Sequence, residues 1–216
     1  MTGISSLQMQ AIAVSTLWTV GLSLVAFIGG GLLGLAVALG RTARARPLRL
    51  LSGLYVQLIQ GTPLLILIFL MYFGLAILGF ELSVFTAASV AIVLYAAAYF
   101  GEIWRGGIES VARTQHEAAE CLGLTHLQAL WLVVLPQALR ISTPPTVGFA
   151  VQVVKNTSLA SVIGVADLTY TGKLINNATF QPFVTFTLVA AIYFCLCYPL
   201  AWWSRKLENR LNVHNH

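Results

Sequence analysis

This sequence has very little charge. Asp, Glu, Lys and Arg make up 9% of its residues, where a soluble domain carries about 25%, and that excludes a water-facing globular domain of any size. Its three cysteines form no framework: Cys195 and Cys197 are two apart, on different faces of a helix, and Cys121 stands alone. The four histidines are scattered and no metal-ligand spacing occurs, so no metal site is expected. No Gly-rich loop ending in Gly-Lys-Ser or Gly-Lys-Thr is present, so this chain is not expected to hydrolyse ATP by the phosphate-loop route. Residues 1–10 lack the basic start and small-residue cleavage site of a signal peptide, and no lipidation signature is evident. There is no internal repeat of the kind many gradient-driven carriers carry. A membrane enzyme would need clustered catalytic groups, and the apolar stretches offer only Glu102 and Lys155.

Apolar sequence fills the space. Hydrophobic residues make up 58% of the 216 and mean hydropathy is +0.83. Apolar stretches at about 11–40, 50–78, 84–105, 141–165 and 182–203 are each long enough for the roughly 20 residues a bilayer requires. The fold class is therefore all-α: one transmembrane domain, residues 1–216, of five spans. Gly29, Gly30, Gly31 and Gly34 allow close approach of another helix. Gln57, Gln60, Gly61, Thr62 and Pro63 interrupt the second stretch and predict a kink facing protein or water. Glu102 and Arg105, three apart, are placed to pair on one helix face. Pro144-Pro145 marks the start of the fourth span, and residues 167–181 read as the longest loop on the far side. Arg41, Arg44, Arg46, Arg49, Arg105, Arg113, Arg140, Arg205, Lys206 and Arg210 all fall on one side of this layout. That asymmetry places the N-terminus outside and the C-terminus in the cytoplasm. The basic excess is read as topology and contact with anionic membrane lipid, with no nucleic acid partner.

One segment departs from this pattern. Residues 113–140 carry charge, helix formers and a central glycine. His116 to Leu122 favour a helix. Gly123 lowers helix propensity by roughly 1 kcal/mol relative to Ala, so the chain should turn there. Leu124 to Ala138 resume a helical pattern in which Pro136 fits only a first turn or a kink. A short stiff rod of about 12 Å suits a lever between two proteins. Small Ala118 and Ala119 permit close approach of a partner backbone, and Gly123 lets the chain turn away. The plainer reading is an ordinary amphipathic connector.

Glu117-Ala118-Ala119, Gly123, Val133 and Leu135-Pro136 resemble the EAA loop of permeases of ATP-binding-cassette (ABC) importers. The resemblance extends along nearly the whole chain to the polar-amino-acid branch of that family. Gly61-Thr62-Pro63-Leu64-Leu65, Glu102-Ile103-Trp104-Arg105-Gly106-Gly107-Ile108, Leu135-Pro136-Gln137-Ala138, Lys155-Asn156-Thr157-Ser158-Leu159 and Val162-Ile163-Gly164-Val165 carry it. It implies a five-span type I importer permease that pairs with a second permease subunit, binds two separate ATPase subunits and receives amino acids from an extracytoplasmic binding protein. ATP and Mg would sit on the ATPase, with no cofactor in this chain, and the location would be the bacterial inner membrane. Glu117, Ala118, Ala119, Gly123, Leu135 and Pro136 would form the ATPase-coupling site. Thr114, Gln60 and Asn156 stand where relatives usually have Gly, Arg and Asp, and the last two bear on the charge of the ligand. The alternative from another class is an ion-gradient-driven carrier or channel.

Lys155 falls within the fourth apolar stretch, where an ammonium is costly unless it meets a partner or water. Asn156, Thr157 and Ser158 follow it, and four consecutive side chains cannot share one helix face. A local break lining a cavity is therefore expected, with Gln60 and Thr62 across from it, as gate and ligand contacts. The plainer reading has Lys155 paired with Glu102 or a partner subunit.

Overall fold

The computed structural model describes residues 5–212, and within them the chain is all-helical. Helix α1 (Ser6–Thr42) starts at a capping box. Gln8 N–H donates to Ser5 Oγ at 3.3 Å, and Ser5 N–H donates to Gln8 Oε1 at 2.8 Å. These two bonds satisfy orphan donors at the helix start. After a short basic turn come α2 (Arg46–Gln60), α3 (Leu64–Ile77) and α4 (Val84–Glu109).

Helix α4 is the centre of the molecule. More than half of its apolar window, 56%, is buried, against 17% for the last long helix. Its inner face is mostly alanine (Ala87, Ala88, Ala91, Ala96, Ala97 and Ala98), all fully buried. Small side chains let backbones approach where lipid removes any hydrophobic drive between helices. Helix α1 supplies the complementary surface: a Cβ added at Gly30 would stand 2.5 Å from that of Ala96, and one at Gly34 2.7 Å from that of Phe100. The glycine run is thus a packing seam, as its composition predicts. Leu22, Ile68, Ile92 and Phe100 complete the central core.

The second apolar stretch is broken more sharply than the expected kink. α2 and α3 meet at 102° across Gly61, Thr62 and Pro63. Pro63 has no N–H to continue the ladder, and Thr62 Oγ1 turns back to donate to Leu58 O at 2.8 Å. Tyr55 Oη, donating to Leu94 O at 2.7 Å, and Gln60 Nε2, donating to Ala98 O at 3.5 Å, pin α2 along α4.

Helices α5 (Arg113–Cys121) and α6 (His126–Ala129) follow α4. A widened π-type turn, Leu130–Val134, leads into α7 (Leu135–Asn156) without a stop. The expected boundary near 141 is absent. The wide turn precedes Pro136 and relieves the clash that proline makes with the carbonyl four residues back. Pro144 and Pro145 lie inside α7, whose neighbours hold them: Ser204 Oγ donates to Pro144 O at 2.9 Å, and Trp104 Nε1 donates to Thr146 Oγ1 at 3.0 Å.

Residues 167–181 correct the reading of a far-side loop, because most of them form α8 (Leu168–Thr179). The buried Asp167 caps it, accepting from Tyr170 N–H at 2.8 Å. Leu168, Thr171, Gly172 and Ile175 are buried at helical spacing, so one face packs although the composition is polar. Helix α9 (Pro182–Asn212) ends the described chain. Among the described residues three helices (α1, α4 and α9) are long and apolar enough to cross a membrane, and up to five spans result if each bent pair counts as one.

Candidate coupling surface and substrate path

Helix α5 packs against the π-type turn Leu130–Val134, which belongs to a small apolar cluster of Val111, Val134 and Ala138, flanked by Ile108 and Leu130. Ala119 faces inward, 2% exposed, while Glu117, Ala118 and Glu120 face outward. The two alanines therefore divide the work: Ala119 lets α5 sit close on its own chain, and only Ala118 presents a small surface outward. Gly123 holds φ +73°, a left-handed conformation that glycine adopts without a Cβ penalty. Leu124 N–H reaches back to Ala119 O at 3.1 Å and closes the turn. Thr125 then restarts the chain as a helix by exchanging bonds with Gln128, at 2.9 Å from its own N–H and 3.4 Å to its Oγ1. Around this turn Leu122, Leu127, Trp131 and Leu132 are exposed, Leu122 by 80%. Leu135 is half-buried and Pro136 exposed at the base of α7. The result is a rigid, apolar-tipped helix–turn–helix that the chain itself does not cover.

The second group of predicted residues sits where α7 ends. Lys155 is exposed on its last turn, and Asn156 is half-buried, accepting from Gln152 Nε2 at 3.2 Å. At Thr157 the helix tightens to a 3₁₀ form running to Ile163. Thr157 is fully buried with Oγ1 donating to Val154 O at 2.8 Å, and Ser158 Oγ donates to Lys155 O at 2.6 Å. The four side chains thus diverge, two outward and two into backbone bonds. Gln60 is exposed and Thr62 half-buried at the α2–α3 break. Both bond elsewhere, to Ala98 O and Leu58 O, and neither hydrogen-bonds residues 155–158. The two segments are still neighbours through their cores: Leu64, Leu67 and Ile68 of α3 share a cluster with Ala160 and Ile163.

Pairing of Lys155 with Glu102 is not formed. Glu102 is engaged by Arg41 Nε at 2.8 Å and by Arg105 at 2.8 Å, and Arg105 also pairs with Glu109. The expected Glu102–Arg105 pair is present. Arg41, 61 positions away in sequence, carried no local signal for its part in it. Also unforeseen is an aromatic stack beside Asn156's helix: Tyr95 and Tyr99 at 4.6 Å, and Tyr99 on Phe149 at 5.0 Å and 10°. Among the described residues no group of three or more metal-ligating side chains converges.

Membrane-length helices packed on a polyalanine centre, with one uncovered helix–turn–helix hung between two of them, define a polytopic membrane subunit built to engage another protein. The comparisons with known proteins agree. The chain belongs to the family described as the binding-protein-dependent transport system inner membrane component, which matches residues 30–213. It is 39% identical to a protein of Bacillus subtilis named a probable glutamine ABC transporter permease, GlnM, over 88% of each chain. It is 37% identical to the L-cystine transport system permease TcyB of the same organism, over 90% of this chain and 84% of that one. A solved structure of an amino acid ABC transporter with histidines superposes with a TM-score of 0.88 and 33% identity, covering 97% of this chain and 100% of that one. The inward-facing MetNI methionine transporter gives 0.77 at 20% identity, over 95% and 98%, a likeness of fold. The chain is thus the multi-pass inner-membrane permease subunit of an ABC importer, working with a separate ATPase and a binding protein.

Proposed function

We propose that this permease carries a polar amino acid, of the class its relatives' names give as glutamine and L-cystine, by alternating access driven by ATP hydrolysis on the partner subunit. The observation that carries the coupling half of this reading is the exposed α5–α6 turn at Gly123. Glu117, Ala118 and Gly123 seat in a cleft of the ATPase, Ala119 holds α5 to its own chain, and Leu135-Pro136 set the angle at which α7 leaves. Residues 1–216 act as one transmembrane domain that pairs with a second permease subunit. The arginines of the α1–α2 turn, Arg113 and Arg140 lie in the cytoplasm, so the N-terminus is outside and the C-terminus inside. Lys155, Asn156, Thr157 and Ser158, with Gln60 and Thr62, form the substrate path. Asn156 in place of the acid of relatives favours a ligand without net positive charge.

Uptake by the reconstituted permease, ATPase and binding protein tests this. Labelled glutamine is expected inside vesicles only with ATP and binding protein present, unaffected by a protonophore. Uptake that survives removal of ATP and collapses with the proton gradient would establish the gradient-driven alternative.

A further inference from the structure

Beside the turn from α1 to α2 lies an open groove of about 500 Å³ with a mixed polar and apolar lining. Arg41, Arg49 and Gln57 line it together with Leu50 and Leu54, and Gln57 lies two helical turns beyond Arg49 along α2. No acidic side chain lines it. Arg41 spends only its Nε on Glu102, and among the described residues its two Nη atoms have no hydrogen-bond partner. One of them lies directly against the α2 backbone, 2.8 Å from where a Cβ on Gly53 would stand. Arg49 is exposed, with no carboxylate at ion-pair distance among the described residues. Helix α2 exposes Leu50 by 71%, Leu51 by 66% and Leu54 by 53%, so none of the described residues covers its apolar side.

Two guanidinium groups lining one groove suit a phosphate, because their forks match its oxygens. A row of leucines running away from them selects a hydrocarbon chain. A basic pocket between membrane helices that leads into an apolar wall is the arrangement that holds an anionic lipid headgroup. We infer that the groove between α1 and α2 is a binding site for one anionic phospholipid, its phosphate between Arg41 and Arg49 and an acyl chain along Leu50 and Leu54. The lipid completes the neutralisation of Arg41 that Glu102, shared with Arg105, provides only in part. This inference rests on the chain spanning a membrane, and not on the proposed substrate or orientation.

The permease–ATPase complex, equilibrated with equal phosphatidylglycerol and phosphatidylcholine and freed of bulk lipid, reports retained lipid by native mass spectrometry. The wild type is expected to keep phosphatidylglycerol in preference. Arg49→Gln lowers that retention about fivefold, the factor for one basic group near a lipid surface, and Arg49→Lys restores most of it. Leu54→Trp fills the groove without touching charge and lowers retention as well. Arg205→Gln, on α9 away from the groove, leaves it unchanged. Equal retention of both lipids, or an equal loss in Arg205→Gln, would reduce the effect to diffuse attraction and overturn the site. Displacement by soluble glycerol phosphate would make the ligand a free phosphate instead. Changed subunit stoichiometry in Leu54→Trp with lipid retention intact would mean that another copy, and not lipid, covers the groove. Amino-acid uptake is measured separately, so loss of this site would leave the transport reading untouched.

Discussion

Glu102 shows how few charged residues such a chain needs once each is shared. One half-buried carboxylate draws Arg41 from α1 and Arg105 from its own helix. Removing it would leave Arg41 with no carboxylate partner among the described residues and Arg105 with only Glu109, the costly way to break an ion pair. Lys155, by contrast, is left without an ion-pair partner among the described residues, which keeps it available to solvent or ligand. Asn156 beside it supplies a neutral amide where the family resemblance implies an acid. Asn156→Asp is expected to raise uptake of arginine relative to glutamine about tenfold with the same binding protein, since a hydrogen bond to a charged group contributes ~1.5–3 kcal/mol. Uptake ratios in proteoliposomes measure this. An unaltered ratio there, together with an unaltered rate in Lys155→Met, would leave the segment a structural one.

At the scale of elements, the α5–α6 unit suits the proposed coupling role because its stiffness is local. The Gly123 turn, the Leu124–Ala119 bond and the Thr125–Gln128 box are all internal to it. Space around Gly123 is open: nothing within 4 Å would meet an added Cβ. The penalty of a side chain there is therefore backbone strain at positive φ, about 1 kcal/mol, plus any collision with a partner. Two substitutions separate these terms. Gly123→Ala should reduce uptake modestly. Gly123→Trp should reduce it at least tenfold while the protein still reaches the membrane and the ATPase still turns over. Normal uptake by the Trp variant at normal expression would remove this turn from the contact.

For the molecule as a whole, α4 organises the packing and the two sharp bends organise the spans. The 102° break between α2 and α3 and the 51° bend before α8 decide whether three helices or five spans cross the bilayer. Both terminal residues, Met1 and His216, lie outside the described residues, so side is best measured directly. Reporters fused to the two ends are expected on opposite sides of the membrane, the N-terminal one outside. Both on the same side would require an even number of spans and would remove the five-span model.

The sequence by itself determined the membrane class, the long helices, the close-packing seam at Gly30 and Gly34, and the turn at Gly123. Each rests on a local property: hydropathy over about 20 residues, small glycines at Gly30 and Gly34 that allow close approach, or a glycine that turns left-handed at Gly123. Tertiary structure decided the rest. Arg41 meets Glu102 only because α1 and α4 lie side by side. Residues 167–181 form a helix because Leu168 and Ile175 found a buried cluster with Ile12 and Val189, which their polar composition did not announce. Ala119 turned inward and Ala118 outward because α5 packs on the turn Leu130–Val134. Partners distant in sequence leave no mark on periodicity or composition, and packing alone selects among the faces a helix offers.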